Sequence, residues 1–436
     1  MLQLYNTLSR KKEAFIPREP GVVRFFTCGP SIYQPPHLGN YRTFLYEDLL
    51  HRYLQYLGYR VDRVLPFTDV EDKAIAEAER QGVSLQDLTD RVAARFHDEA
   101  RMLRIHPPTH NPRASTMVDE AAGIIQALLA KGYAYRDGGD IFFEPLKYRG
   151  FGKLARIDLD RWPARRRRFR KDTYPGTRWN YGDFILWHGE RKGDTAVWET
   201  AIGRGRPAWN VQDPAMILPF LGPAIDIHAG GIDNLARHHD YTLAIIEALT
   251  EKPYARFWLH GEHLLIGGKK MSKSRGNIVY PHTLISEGYT PEQIRFLLLS
   301  GHYRERLNLS METLPGTAER LVRVQEMVAS LGKGNARGKR EDRRASRLIR
   351  SLGEGFTERM DDDLDVAGAW ERLEAALTGL HGLASEGSLG KEDAENATSI
   401  LRRIDGVLQV IYPVQATVSE TGSGKGESIG PSPLLR

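Results

Sequence analysis

The chain has 436 residues, 41% of them hydrophobic and 27% charged, with 61 basic against 56 acidic side chains and a net charge of +5. That length predicts two or three domains, and the composition is that of an ordinary globular protein. No apolar run approaches the roughly 18 residues of a membrane span, the start Met1-Leu2-Gln3-Leu4-Tyr5 lacks a secretory pattern, and the single cysteine, Cys28, excludes an intramolecular disulfide and fits a reducing cytoplasm.

Val22 to Thr27 reads as a buried strand followed by a loop, Cys28 to Pro36. Apolar spacing at Phe44, Leu45, Leu49, Leu50 and Leu54 predicts a helix over Tyr41 to Leu57, which Gly58 ends. Arg60 to Pro66 begins a second strand. Strand, helix, strand predicts a βαβ unit and hence an α/β, doubly wound, Rossmann-like parallel sheet. Helical spacing recurs over Leu85 to Leu103 and Met117 to Lys131.

The pattern changes over 134–210, with short strand-like pieces at Asp140 to Phe143 and Phe184 to Trp187 and a basic run from Arg161 to Lys171. This segment reads as an insertion that divides the nucleotide-binding domain into halves at 1–133 and 211–311. The sheet pattern resumes at Ala224 to His228 and Arg256 to His260. A helical bundle is expected over 312–412, and 413–436, rich in Ser, Gly and Pro, is expected to be unstructured.

Two short motifs carry chemistry. His37-Leu38-Gly39-Asn40 lies just before a predicted helix, where unpaired N–H groups and the helix dipole attract phosphate. Gly39 would let a ligand approach the backbone. The plain alternative is a helix cap with a surface histidine. Lys269-Lys270-Met271-Ser272-Lys273-Ser274, far downstream, is either a solvated basic loop or a clamp on a pyrophosphate leaving group. In this order, around a doubly wound pattern, the pair describes a site that grips ATP from two sides; no P-loop motif is present.

These segments resemble class I aminoacyl-tRNA synthetases, and most closely the cysteinyl-tRNA synthetase family. The resemblance includes Leu4-Tyr5-Asn6-Thr7-Leu8, Thr27-Cys28-Gly29-Pro30-Ser31-Ile32-Tyr33, Thr68-Asp69-Val70-Glu71-Asp72-Lys73 and Pro112-Arg113-Ala114. It continues through Gly205-Arg206-Pro207-Ala208-Trp209, Asp226-Ile227-His228-Ala229-Gly230-Gly231, Ser300-Gly301-His302-Tyr303-Arg304 and Met360-Asp361-Asp362-Asp363. It implies a ligase that uses ATP with Mg2+ to convert an amino acid to its adenylate and then transfers the acyl group to tRNA. His37, Gly39, Asn40, Lys270, Ser272 and Lys273 would meet the ATP phosphates. Cys28, Gly29, Tyr33, Thr68, Trp209, Asp213, His228, Asp233 and His238 would form the amino-acid site, with Asp233 a candidate for holding the ammonium group.

The family holds a zinc ion through two cysteines, a histidine and a glutamate, and the zinc takes the substrate thiolate. Cys28 and His238 match two of these ligands, but Asp213 stands at the second cysteine position and Thr242 at the glutamate position. Three readings follow. Cys28, Asp213 and His238 rebuild a harder zinc site with a shifted Asp240 or His239; the site is metal-free and shaped for another amino acid; or Asp213 is a solvated loop residue. Because the family pattern stops near Ile411, a tRNA-independent amino acid ligase is the alternative function. The basic run at Arg165 to Lys171 suits tRNA phosphates or plain solvent. No oligomeric state is legible in the sequence.

Overall fold

The β-branched and aromatic run Val22–Thr27 forms an inner strand of a four-stranded parallel sheet. The spatial order is Ala255–Gly261, Ile225–Gly231, Val22–Thr27, Arg60–Val64, with Phe25 facing Ile227 on one side and Arg63 on the other. Parallel bridges Val64–His110 and Phe67–Arg113 extend the edge. Strand order therefore reverses between Val22–Thr27 and Ile225–Gly231, and a ligand crevice is expected beyond the carboxyl ends of those two strands. The doubly wound expectation holds. This computed structural model describes residues 1–159, 183–271, 275–310, 312–332 and 343–413, the Arg237 side chain excepted. The basic run 161–171, Ser272, Lys273, Ser274 and the tail from 414 lie outside the described residues.

Two boundaries differ from the sequence reading. The first helix spans Leu38–Tyr56 and begins three residues early, because His37 and Asn40 cap it reciprocally. The second strand stops at Val64, short of Pro66, which has no N–H for a ladder.

Between the halves of the parallel sheet, a five-stranded antiparallel sheet runs Ala134–Asp137, Asp140–Phe143, Phe184–Gly189, Gly203–Pro207, Trp198–Thr200. Its apolar face packs with the helices Val118–Ala130, Trp209–Leu221 and Asp240–Thr250 in a core of its own. Beyond the parallel sheet, the helices Thr313–Leu331, Arg343–Asp361, Val366–Ser385 and Lys391–Leu408 pack together. Their apolar faces are continuous with the core under Leu38–Tyr56, which runs from Leu2 to Ile411.

Buried polar groups fasten this junction. Asp48 on the first helix accepts Arg295 Nη2–H at 2.6 Å, and both side chains are essentially inaccessible. Arg295 also donates to the Leu408 carbonyl at 2.7 Å and the Leu103 carbonyl at 2.9 Å. Asp363, fully buried, accepts the Tyr5 amide and Tyr303 hydroxyl, both at 2.8 Å, and Arg304 Nε–H at 2.7 Å. The amino terminus of Met1 reaches Asp361 at 2.7 Å. Burial alone would push the Asp48 carboxyl up, but Arg295 and Arg52 outweigh it and hold it well below the usual carboxylate range.

Removing one member of a buried pair strands the other. Arg295→Ala should therefore lower unfolding free energy by about 3–5 kcal/mol, read by urea denaturation at pH 7. Because the folded carboxyl titrates below its ordinary value of 3.8, the stability from Asp48 is present above about pH 4 and lost as pH falls below it. The Arg295→Ala deficit should shrink in acid; an equal deficit at pH 7 and in acid would refute the pairing.

Candidate active site

At the point where strand order reverses lies a cavity of about 260 Å³. It is lined by Cys28, Gly29, Tyr33 and Thr68, by His37 and Asn40, and by Trp209, Asp213, Asp233 and His238. The loop ends are stitched by Ile32 N–H to the Thr68 carbonyl at 3.0 Å and Thr68 N–H to the Pro30 carbonyl at 3.2 Å. Gly29 is required by this stitching. A Cβ there would sit 1.5 Å from the Pro66 carbonyl oxygen, a backbone atom that cannot yield.

The His37 turn opens the first helix onto this cavity. Asn40 Oδ1 accepts the His37 amide at 3.0 Å, while His37 Nδ1 accepts the Asn40 amide at 3.3 Å. Burial pushes the His37 imidazole below its ordinary value, so the ring is neutral at pH 7. With Nδ1 serving as acceptor, the single ring proton belongs on Nε2. The cap therefore consumes the acceptor atoms of both side chains and leaves their donors, His37 Nε2–H and the Asn40 amide N–H groups, for an anion. The helix-cap reading is correct, and it is compatible with the phosphate reading.

The downstream motif docks on this turn. Leu38 N–H donates to the Val279 carbonyl at 2.9 Å, and Met271 is buried against the same turn. A Cβ on Gly39 would lie 2.8 Å from Met271 Cε and 3.0 Å from His37 Cε1. The missing side chain at Gly39 thus leaves room for Met271. Lys270 Nζ reaches Asp233 Oδ2 at 3.2 Å across the crevice mouth, with both side chains about half exposed. In this structure Asp233, the candidate for the substrate ammonium, is engaged by the motif lysine.

Comparison with known proteins decides the family. The model of the class I (C) catalytic domain of tRNA synthetases matches residues 14–319. Cysteine–tRNA ligase of Chlamydia muridarum is 34% identical over 96% of this chain and 90% of its own length, and that of Symbiobacterium thermophilum 37% identical over 94% and 87%. The chain belongs to the cysteinyl-tRNA synthetase family. Among solved structures, methionyl-tRNA synthetase of Mycobacterium tuberculosis with methionyl-adenylate superposes with a TM-score of 0.63 at 16% identity, covering 88% of this chain and 89% of that one. The agnB2 leucyl enzyme of Agrobacterium radiobacter gives 0.65 at 12% identity, covering 91% and 85%. These two likenesses concern the fold. No described helix is long and apolar enough to cross a membrane.

Within this class I synthetase frame, the amino-acid residues separate into two groups. Cys28, Gly29, Tyr33, Thr68, Trp209, Asp213, Asp233 and His238 line the cavity. His228 does not, contrary to expectation: it is fully buried behind Cys28, its Nδ1 hydrogen-bonded to Tyr254 Oη at 3.0 Å and its ring stacked on Trp258. Lys73 and Asn234 also line the cavity and had no assigned role. Lys73 ends a family segment and places its ammonium 5.6 Å from the Tyr33 ring centroid, a signal that was available in the sequence.

The zinc positions can be tested on their donors. Cys28 Sγ, Asp213 and His238 offer ligand atoms within 4.8 Å of one another, all buried. They are arranged as hydrogen-bond partners, however. His238 Nε2 stands 2.7 Å from Asp213 Oδ2, closer than the roughly 3.3 Å separating two ligands about 2.0 Å from a tetrahedral ion. The fourth position is Thr242, a buried neutral hydroxyl with no partner among the described residues. Asp240 does not join these three donor atoms, and its Oδ1 accepts Leu154 N–H at 3.2 Å. His239 is close, but it is already bonded on both nitrogens, to Cys28 Sγ and His260, each at 2.8 Å. This donor set does not fit the family's zinc. The solvated-loop reading fails too, since Asp213 is only 2% exposed.

The cap and the phosphate role of Asn40 are separable. Asn40→Asp keeps an oxygen for the His37 amide, so stability should change by less than about 0.5 kcal/mol, whereas Asn40→Ala should cost about 1 kcal/mol. Asn40→Asp replaces an outward donor with a charge that repels phosphate, so ATP affinity by calorimetry should fall at least about tenfold. Unchanged affinity would reduce the motif to a cap.

Proposed function

We propose that this chain activates an amino acid with ATP, forming the aminoacyl adenylate and pyrophosphate, and then passes the acyl group to tRNA. The observation that carries the reading is the docking of the two motifs on one crevice: donors of His37 and Asn40 on one side, Lys270 on the other, Met271 packed between. In the first step a carboxylate oxygen bonds to the α-phosphorus while the bond to the bridging oxygen breaks, and its electron pair leaves with pyrophosphate. Mg2+ bound with the triphosphate contributes charge neutralisation. His37 Nε2–H and the Asn40 amide hold phosphate oxygens as charge builds, and no side-chain nucleophile is needed. Lys270 exchanges its exposed pairing with Asp233 for the departing pyrophosphate, and Lys273 is proposed for the same anion. Asp233, once released, is free to take the substrate ammonium. The second step is attack of a terminal ribose hydroxyl of tRNA on the acyl carbon, with release of AMP.

The test is ATP–pyrophosphate exchange measured against each standard amino acid and short-chain analogues. Lys270→Ala and Lys273→Ala should each lower exchange about 100-fold; the thermal midpoint of Lys270→Ala should not move, because that side chain is half exposed. Full exchange in both variants would remove the clamp from the mechanism. Exchange without charging of total tRNA would move the acceptor to a small-molecule amine.

A further inference from the structure

The inner wall of the crevice holds a carboxylate whose partners are incomplete. Asp213, in the first turns of the Trp209–Leu221 helix, is 2% exposed and lines the cavity. Its Oδ2 receives His238 Nε2–H at 2.7 Å. Among the described residues no donor is bonded to Oδ1, and no lysine or arginine is paired with the group.

His238 cannot turn away to leave the carboxylate to solvent. Trp209 stacks on its ring at 3.9 Å with an interplanar angle of 4°. Cys28 cannot supply the missing donor either. Its Sγ makes only a long contact of 3.9 Å, to Oδ2 and not Oδ1, and lies 2.8 Å from His239 Nε2.

A buried carboxylate with one oxygen left unbonded is costly, and a ligand bringing a cation completes it best. Room is short, since the same cavity must also hold the amino acid's own carboxylate and ammonium.

Resting on the adenylate-forming reading above, we propose that Asp213, oriented by His238, is the specificity determinant for an α-amino acid whose short side chain ends in an ammonium group, bound without a metal ion. The chemistry is that of a β- or γ-amino substituent, with 2,3-diaminopropionate and 2,4-diaminobutyrate as probes. Recognition through the Asp213 carboxylate disfavours cysteine, because a thiol is a weak donor.

The experiment compares 2,3-diaminopropionate, 2,4-diaminobutyrate, serine and cysteine in pyrophosphate exchange, with calorimetric binding of each and metal analysis of the purified protein. A diamino acid should exceed serine and cysteine in kcat/KM by at least about 100-fold, as for a site built around one buried charged hydrogen bond. Asp213→Asn should erase that ranking while leaving the KM for ATP unchanged, and zinc should be far below one per chain. Preference for cysteine, a serine preference that survives Asp213→Asn, or stoichiometric zinc would each overturn the proposal. The wild-type ranking needs no variant, so a misfolded Asp213→Asn would not rescue it. Failure of the underlying reading looks different: no exchange with any amino acid, and no nucleotide binding. Diamino-acid binding by calorimetry would still decide the role of Asp213 in that event.

Discussion

The amide of Leu38 has no acceptor within its own helix, and the carbonyl of Val279, far along the chain, supplies one at 2.9 Å. Around that bond Gly39 leaves just enough space for Met271. A helix start and a lysine loop, each unremarkable alone, are thereby fixed as opposite jaws of one crevice. The rest of the site follows from this docking. Lys270 is brought to Asp233 at the mouth, and His37 and Asn40 spend their acceptors on the cap and turn their donors outward. Neither jaw would be in register if the Leu38 turn and the Val279 segment were packed independently.

The frame was legible because its causes are local. The Val22 strand, the helix after it and the parallel return follow from apolar spacing and from glycine and proline punctuation. The helix start was misplaced by three residues because histidine is not an ordinary cap, and only the reciprocal bonds between His37 and Asn40 reveal it as one. Family segments near the chain ends read as markers without a role. In the fold, Tyr5, Tyr303 and Arg304 all converge on Asp363, so those segments are joints, not reagents.

What sequence could not supply was depth. His228 and His238 look equivalent on paper, yet one is stacked behind the wall and the other lines it. Asp213 could have been a loop residue, a metal ligand or a binding group. Its burial removes the first choice, and its 2.7 Å contact with His238 argues against the second. Charge compensation then becomes the governing constraint at the base of the pocket, as it already is at Asp48 and Asp363, except that at Asp213 no arginine among the described residues answers it.

The anchoring of Met1 and Tyr5 has a bearing on biosynthesis. Their partners, Asp361 and Asp363, lie 360 and 358 positions later. During translation these two contacts must wait until the Arg343–Asp361 helix has been made. The opening strand can pair early with Lys11–Ala14, but its anchorage to the helical bundle is a late event of elongation.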